Sequence, residues 1–118
     1  MCTGAVQCVV PSPVVFSETP SSQTAVLSEP ALLRCVTAAR VERCRWTWRP
    51  LGGNQNEPFV VREFAAFGAE GRDCSVRFRS LLAQHQGEWA CSALPPGDSQ
   101  FQAAPAAVLT VGHSGKSA

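Results

Sequence analysis

Six cysteines in a chain of 118 residues constrain what this sequence can fold into more than any other feature. They stand at Cys2, Cys8, Cys35, Cys44, Cys74 and Cys91. An even number in a short chain points to a disulfide framework formed in an oxidising compartment. Structural zinc would ask for ligand pairs such as C-x2-C or C-x4-C, and none of these gaps has that form. Tryptophans accompany the cysteines. Trp46 lies eleven residues after Cys35, Trp89 lies two before Cys91, and 55 residues separate Cys35 from Cys91.

Around these positions the apolar residues recur at every second place, the period of a strand with one buried face. Ala31, Leu33 and Cys35 alternate with Leu32, Arg34 and Val36. Cys44, Trp46 and Trp48 alternate with Arg45, Thr47 and Arg49. Cys74, Val76 and Phe78 alternate with Ser75, Arg77 and Arg79, and Trp89 and Cys91 alternate with Glu88, Ala90 and Ser92. Further strands are expected at Val14–Phe16, broken at Pro20 and resumed over Thr24–Leu27, at Phe59–Phe64, and over residues 106–111. Prolines at 11, 13 and 20 suit an edge strand, where a missing N–H is tolerated. Residues 50–56, 67–71 and 95–99 read as turns by composition. No segment reads as a helix longer than a turn, so the fold class expected is all-β.

The near-neutral charge of +1 argues against a nucleic-acid partner, whose footprint is normally basic. A hydrophobic content of 45% argues against disorder. No apolar run reaches the 18 or so residues that a membrane helix needs, so no membrane insertion is expected within this chain. The segment from Met1 to Phe16 has no basic residue and its apolar run is cut by Pro11 and Pro13, so it does not read as a secretory signal. Either a signal has been removed or the chain is a piece of something longer.

The order Leu33-Arg34-Cys35, Cys44-Arg45-Trp46-Thr47-Trp48, Gly87-Glu88-Trp89-Ala90-Cys91 and the last apolar run Ala107-Val108-Leu109-Thr110-Val111 resembles the immunoglobulin superfamily. The resemblance covers roughly residues 13–112. It leaves 1–12 as an N-terminal segment and 113–118 as a tail or linker. It implies a two-sheet antiparallel β-sandwich with Cys35 bridged to Cys91 and Trp46 packed against the bridge. The spacing is too short for the two extra strands of a variable-type domain, and the last strand lacks Phe-Gly-x-Gly, so the intermediate or constant-2 type is expected. In the family the positions of Cys44 and Cys74 face each other across the sandwich, which implies a second bridge. Their shared inward alternation agrees with it, and Cys2 is then left to Cys8.

One departure falls at the corner before Cys91. The family's usual Asp-x-Gly-x-Tyr-x-Cys reads His85-Gln86-Gly87-Glu88-Trp89-Ala90-Cys91 here. The tyrosine hydroxyl that normally caps a backbone carbonyl is missing, but an indole N–H can donate in its place. His85 cannot supply the aspartate's charge.

No catalytic site is expected. His85 sits at a turn, His113 sits in the tail, and the cysteines serve better as bridges than as nucleophiles. No cofactor and no metal is expected. The surface feature that stands out is arginine. If Trp46 and Trp89 point inward, then Arg45, Thr47, Arg49, Glu88 and Ala90 point outward from adjacent strands, and Arg62 or its neighbours are expected to join them from the Phe59–Phe64 strand. Arginine is enriched at protein interfaces. The function implied is an extracellular protein-recognition module of a cell-surface receptor or adhesion protein, binding a protein partner through the outer face of one sheet, with another immunoglobulin domain or a copy of itself among the candidates. The alternative is a secreted binder acting in defence.

Overall fold

A computed structural model of the chain describes residues 13–52 and 58–113. Cys2 and Cys8, with the bridge expected between them, lie outside the described residues. Ten strands follow one another: β1 Phe16–Glu18, β2 Gln23–Val26, β3 Ala31–Leu33, β4 Val36–Thr37, β5 Arg43–Arg49, β6 Phe59–Ala65, β7 Val76–Phe78, β8 Gly87–Leu94, β9 Gln102–Ala103 and β10 Ala107–Gly112. Among the described residues the one helical element is a 3₁₀ turn at Ala83–His85.

The larger sheet has the order β2-β10-β8-β5-β6, with β9 pairing to β8 beside that path. The opposite side consists of two short ladders, β1 with β4 and β3 with β7. The strand broken at Pro20 changes sheets at the break. β1 pairs antiparallel with β4, and after a buried Pro20 the chain resumes as β2, parallel to β10. The start of β1 is later than the apolar Val14-Val15 suggests, because the Val14 N–H is taken by the Gln102 side chain at 2.6 Å instead of a ladder partner. The two-residue β9 was not legible. Pro105 cuts it off from β10, and a pair so short carries no period.

The alternation of the central strands becomes burial directly. In β8, Gly87, Trp89, Cys91 and Ala93 are buried, and the residues between them are half-exposed. Pairing sets Cys44 opposite Ala93, Trp46 opposite Cys91 and Trp48 opposite Trp89. Trp46 is fully buried with Leu33, Leu81 and Leu109 around the four bridging cysteines. Each of these leucines contributes about 2 kcal/mol through area removed from water.

Both bridges implied by the resemblance are formed. Cys35–Cys91 ties the β3–β4 run to β8 with Cα atoms 6.6 Å apart, and Cys44–Cys74 ties β5 to the run entering β7 at 5.4 Å. The two are adjacent, since the Cys74 N–H donates to the Cys35 carbonyl at 2.7 Å. The buried Trp46 indole N–H is satisfied by the Cys74 carbonyl at 2.6 Å, so the tryptophan is hydrogen-bonded to one bridge and faces the other.

The corner holds with the substituted donor. The Trp89 indole N–H donates to the His85 carbonyl at 2.8 Å. The Trp48 indole N–H donates to the Gln86 carbonyl at 3.1 Å, and that ring lies directly over Gly87. A Cβ at residue 87 would come within 2.2 Å of the Trp48 ring nitrogen, so only glycine fits beneath it.

Candidate protein-binding face

The outer face of the larger sheet is built by the residues that alternate with the core. Directly opposed residues in an antiparallel pair share a face. Arg45 is opposite Ser92, Thr47 opposite Ala90, and Arg49 opposite Glu88. On the other flank of β5, Arg45 is opposite Glu63 and Thr47 opposite Val60. On the far side of β8, Glu88 is opposite Val108. Arg45, Thr47, Arg49, Glu88 and Ala90, all expected on this face, are therefore brought together.

Arg62 is not among them. It pairs with Trp46 and so belongs to the inward side of β6. Alternation within β6 could not fix its register against β5, and a displacement of one residue exchanges the faces. Glu63 takes the place expected for Arg62. The ladder then slips at Val61, where a bulge between Trp46 and Thr47 brings Val60 onto the outer face.

The charges on this face are already paired with one another. Arg45 Nε donates to Glu63 at 2.9 Å, Arg43 approaches the other Glu63 oxygen at 3.6 Å, and Arg49 meets Glu88 at 3.3 Å. The hydrogen bond from Arg45, helped by the charges of Arg45 and Arg43, holds the Glu63 carboxyl below its ordinary range. The Arg45 guanidinium also lies over the Phe101 ring, 3.8 Å from its centre. Phe101 carried no sequence signal, because it sits in a loop whose approach to β5 only the folded chain defines. The face is thus a strip of small and apolar side chains, Val60, Thr47 and Ala90, with one ion-paired band on each side. An isolated exposed pair adds little to stability. Pairs fixed by ladder register do hold their donors and acceptors in set positions, which lowers the cost of ordering them against a partner.

Elsewhere, Arg34 is paired with Glu18 on the opposite side of the sandwich, its Nη2 donating at 2.8 Å. The His85 Nδ1 accepts the Leu82 N–H at 2.9 Å and the ring packs on Phe78 at 4.8 Å. Burial keeps this imidazole's pKa below its ordinary value. Among the described residues no three His, Cys, Asp or Glu side chains are grouped to hold a metal, and no helix is long and apolar enough to cross a membrane.

No protein-family model and no curated protein matches the sequence. Solved structures do match. The chain is similar to D1 of Duf (Kirre), with 21% identity and a TM-score of 0.67 over 85% of this chain and 97% of that one. It is similar to a chain from a structure describing T cell specificity and activation by the bacterial superantigen toxic shock syndrome toxin-1, with 16% identity and a TM-score of 0.69 over 83% and 98%. It also matches a chicken TCR chain at 14% identity and a TM-score of 0.68, covering 84% of this chain and 50% of that one. At these identities the likeness is one of fold, and with the Cys35–Cys91 bridge, the Trp46 core and the sheet order it makes this an immunoglobulin-like domain.

Proposed function

We propose that this domain is a non-enzymatic extracellular recognition module that binds a protein partner through the outer face of its larger sheet. The observation that carries the reading is the register of β6, β5 and β8, which aligns Val60, Thr47 and Ala90 between the Arg45–Glu63 and Arg49–Glu88 pairs. A strip without long side chains lets a partner approach closely, and the paired bands supply oriented polar groups at its rim. Two internal disulfides fit an oxidising, extracellular setting. The fold neighbours named above include a TCR chain and a structure concerned with T cell specificity, both in recognition settings. The partner class that fits is a second immunoglobulin-like domain or another copy of this chain.

The test presents the domain in multivalent form to a panel of extracellular domains that includes itself. Arg45→Glu with Arg49→Glu should weaken the binding found by at least about tenfold, since reversal removes contacts and steering together. Arg77→Glu with Arg79→Glu, on β7 and just beyond it, should leave it within about twofold. Binding that survives the first pair and is lost with the second would overturn the choice of face.

A further inference from the structure

The opposite side of the molecule has an opening where a strand is missing. β6 ends the larger sheet, and β7 pairs with β3 alone, so among the described residues each has one unpartnered edge. The residues joining them do not fill the gap. After β6 the chain turns through Gly68 and Gly71, both at positive φ, and closes a small loop by the Phe67–Asp73 bridge. Asp73 then pairs with Val36, Cys74 donates to the Cys35 carbonyl, and Val76, Arg77 and Phe78 pair with Leu33, Leu32 and Ala31. The run from Cys74 to Phe78 is thereby committed to the β3–β4 side, while Asp73 exchanges both its backbone hydrogen bonds with Phe67 and closes one end of the gap.

A cavity of about 660 Å³ wraps round the free edge of β7. Its floor is apolar, formed by Phe64, Phe67 and Val76. Arg62, Arg77 and Arg79 line it, and all three are exposed. A second hollow of about 220 Å³ continues past Arg62 and Arg77 toward Phe78 and His85. Among the described residues none of these three arginines makes an ion pair, whereas Arg34, Arg43, Arg45, Arg49 and Arg72 all do. The one carboxylate in the cavity wall, Asp73, has an oxygen that accepts the Ser75 N–H.

We propose that this slot binds an extended peptide with alternating acidic and apolar side chains, added as a strand along the free edge of β7. Three features converge on that ligand. An unpaired strand edge offers backbone donors and acceptors at a spacing that another strand satisfies. Alternate side chains of such a strand point to opposite sides, so apolar ones reach the Phe64–Val76 floor while acidic ones meet Arg77 and Arg79, which alternate with Val76 and Phe78. Arginine forks bind carboxylates with paired hydrogen bonds. A sulfated sugar chain would use the arginines, but it would leave the strand edge and the apolar floor without partners. This site is separate from the outer face of the larger sheet and does not depend on what binds there.

Titration calorimetry with a capped synthetic peptide of alternating Asp and Val, about six residues long, tests it, with the Lys–Val peptide and a heparin hexasaccharide alongside. The acidic peptide should bind and the basic one should not. Amide resonances of Val76, Arg77 and Phe78 should shift in the complex. Arg77→Glu with Arg79→Glu should weaken the acidic peptide at least about tenfold. Methylating alternate peptide nitrogens on the edge-facing side should abolish binding, while methylating the others should not. Binding that ignores the N-methyl pattern would overturn strand addition. Binding of the hexasaccharide in place of the peptide, or no peptide binding up to about 1 mM, would overturn the ligand class.

Discussion

The two sides of this sandwich are held together by different means. On the larger sheet, β5 and β8 run for seven and eight residues and are paired along their length, and their outer arginines are matched to glutamates. On the other side no strand among the described residues exceeds three residues, and Arg77 and Arg79 at the open edge make no ion pair there. A sheet with long ladders keeps its shape through its own hydrogen bonds. Short ladders cannot, so the second side depends on what fastens it to the first: two disulfides and the Trp46 indole on the Cys74 carbonyl. The difference teaches that the firm side can present a preset surface, while the fastened side can leave an edge open without coming apart.

Removing the fasteners should expose this asymmetry. Cys35→Ala with Cys91→Ala opens a loop with a sequence separation of 56, and the chain-entropy relation gives a loss of about 4 kcal/mol. For a domain of this size that is a large part of the total, and denaturant titration should show both sides melting together at a much lower midpoint. Cys44→Ala with Cys74→Ala opens a separation of 30 and should cost about 3.5 kcal/mol. Here the damage should be uneven. Hydrogen exchange should quicken first at Val76–Phe78 while Trp89–Ala93 stays slow. Equal quickening in both would mean that the second side does not depend on this bridge.

How much of this could be read beforehand follows the same division. The long strands announced themselves, because Cys44-Arg45-Trp46-Thr47-Trp48 and Glu88-Trp89-Ala90-Cys91 each carry a period of two that only one burial pattern satisfies. The four faces of Arg45, Thr47, Arg49 and Glu88 came from that period alone. The placement of Arg62 failed because β6 has almost no buried residue to anchor its register; of its seven residues only Phe64 is half-buried. The open edge of β7 was equally hidden. It arises from the pairing of Val76–Phe78 with Ala31–Leu33 alone, a contact between residues far apart in the chain that no local pattern encodes. The role of Trp89 at the corner was legible, since its indole N–H stands where the motif's tyrosine hydroxyl would donate.

Smaller changes should sharpen the contrast. Trp89→Phe removes the indole N–H from the His85 carbonyl and leaves that acceptor short of a partner, for a loss of about 1–2 kcal/mol by thermal melting. Restoring a donor with Trp89→Tyr should recover part of it. The smallest effect expected is on pH. The folded state keeps His85 below the ordinary pKa of 6.5 through burial of the ring. The unfolded chain therefore takes up a proton on falling below pH 6.5 that the folded chain does not. Stability should be full above that point, decline as pH drops toward the folded pKa, and then level off. His85→Gln should flatten this part of the curve, above the range where Glu18 and Glu63 lose their charge.

The most direct check on the claimed face is a methyl-labelled NMR titration of the domain, with the partner found on the panel or with rising concentrations of itself. Thr47, Ala90, Val60 and Val108 lie on the outer face by strand register, and their methyl signals should shift or broaden together at one saturating concentration. The methyls of Leu33, Leu81 and Leu109, all fully buried, should stay in place. Shifts confined to Leu32 and Val76, with Thr47 and Ala90 unmoved, would contradict the account and assign the recognition to the open side instead.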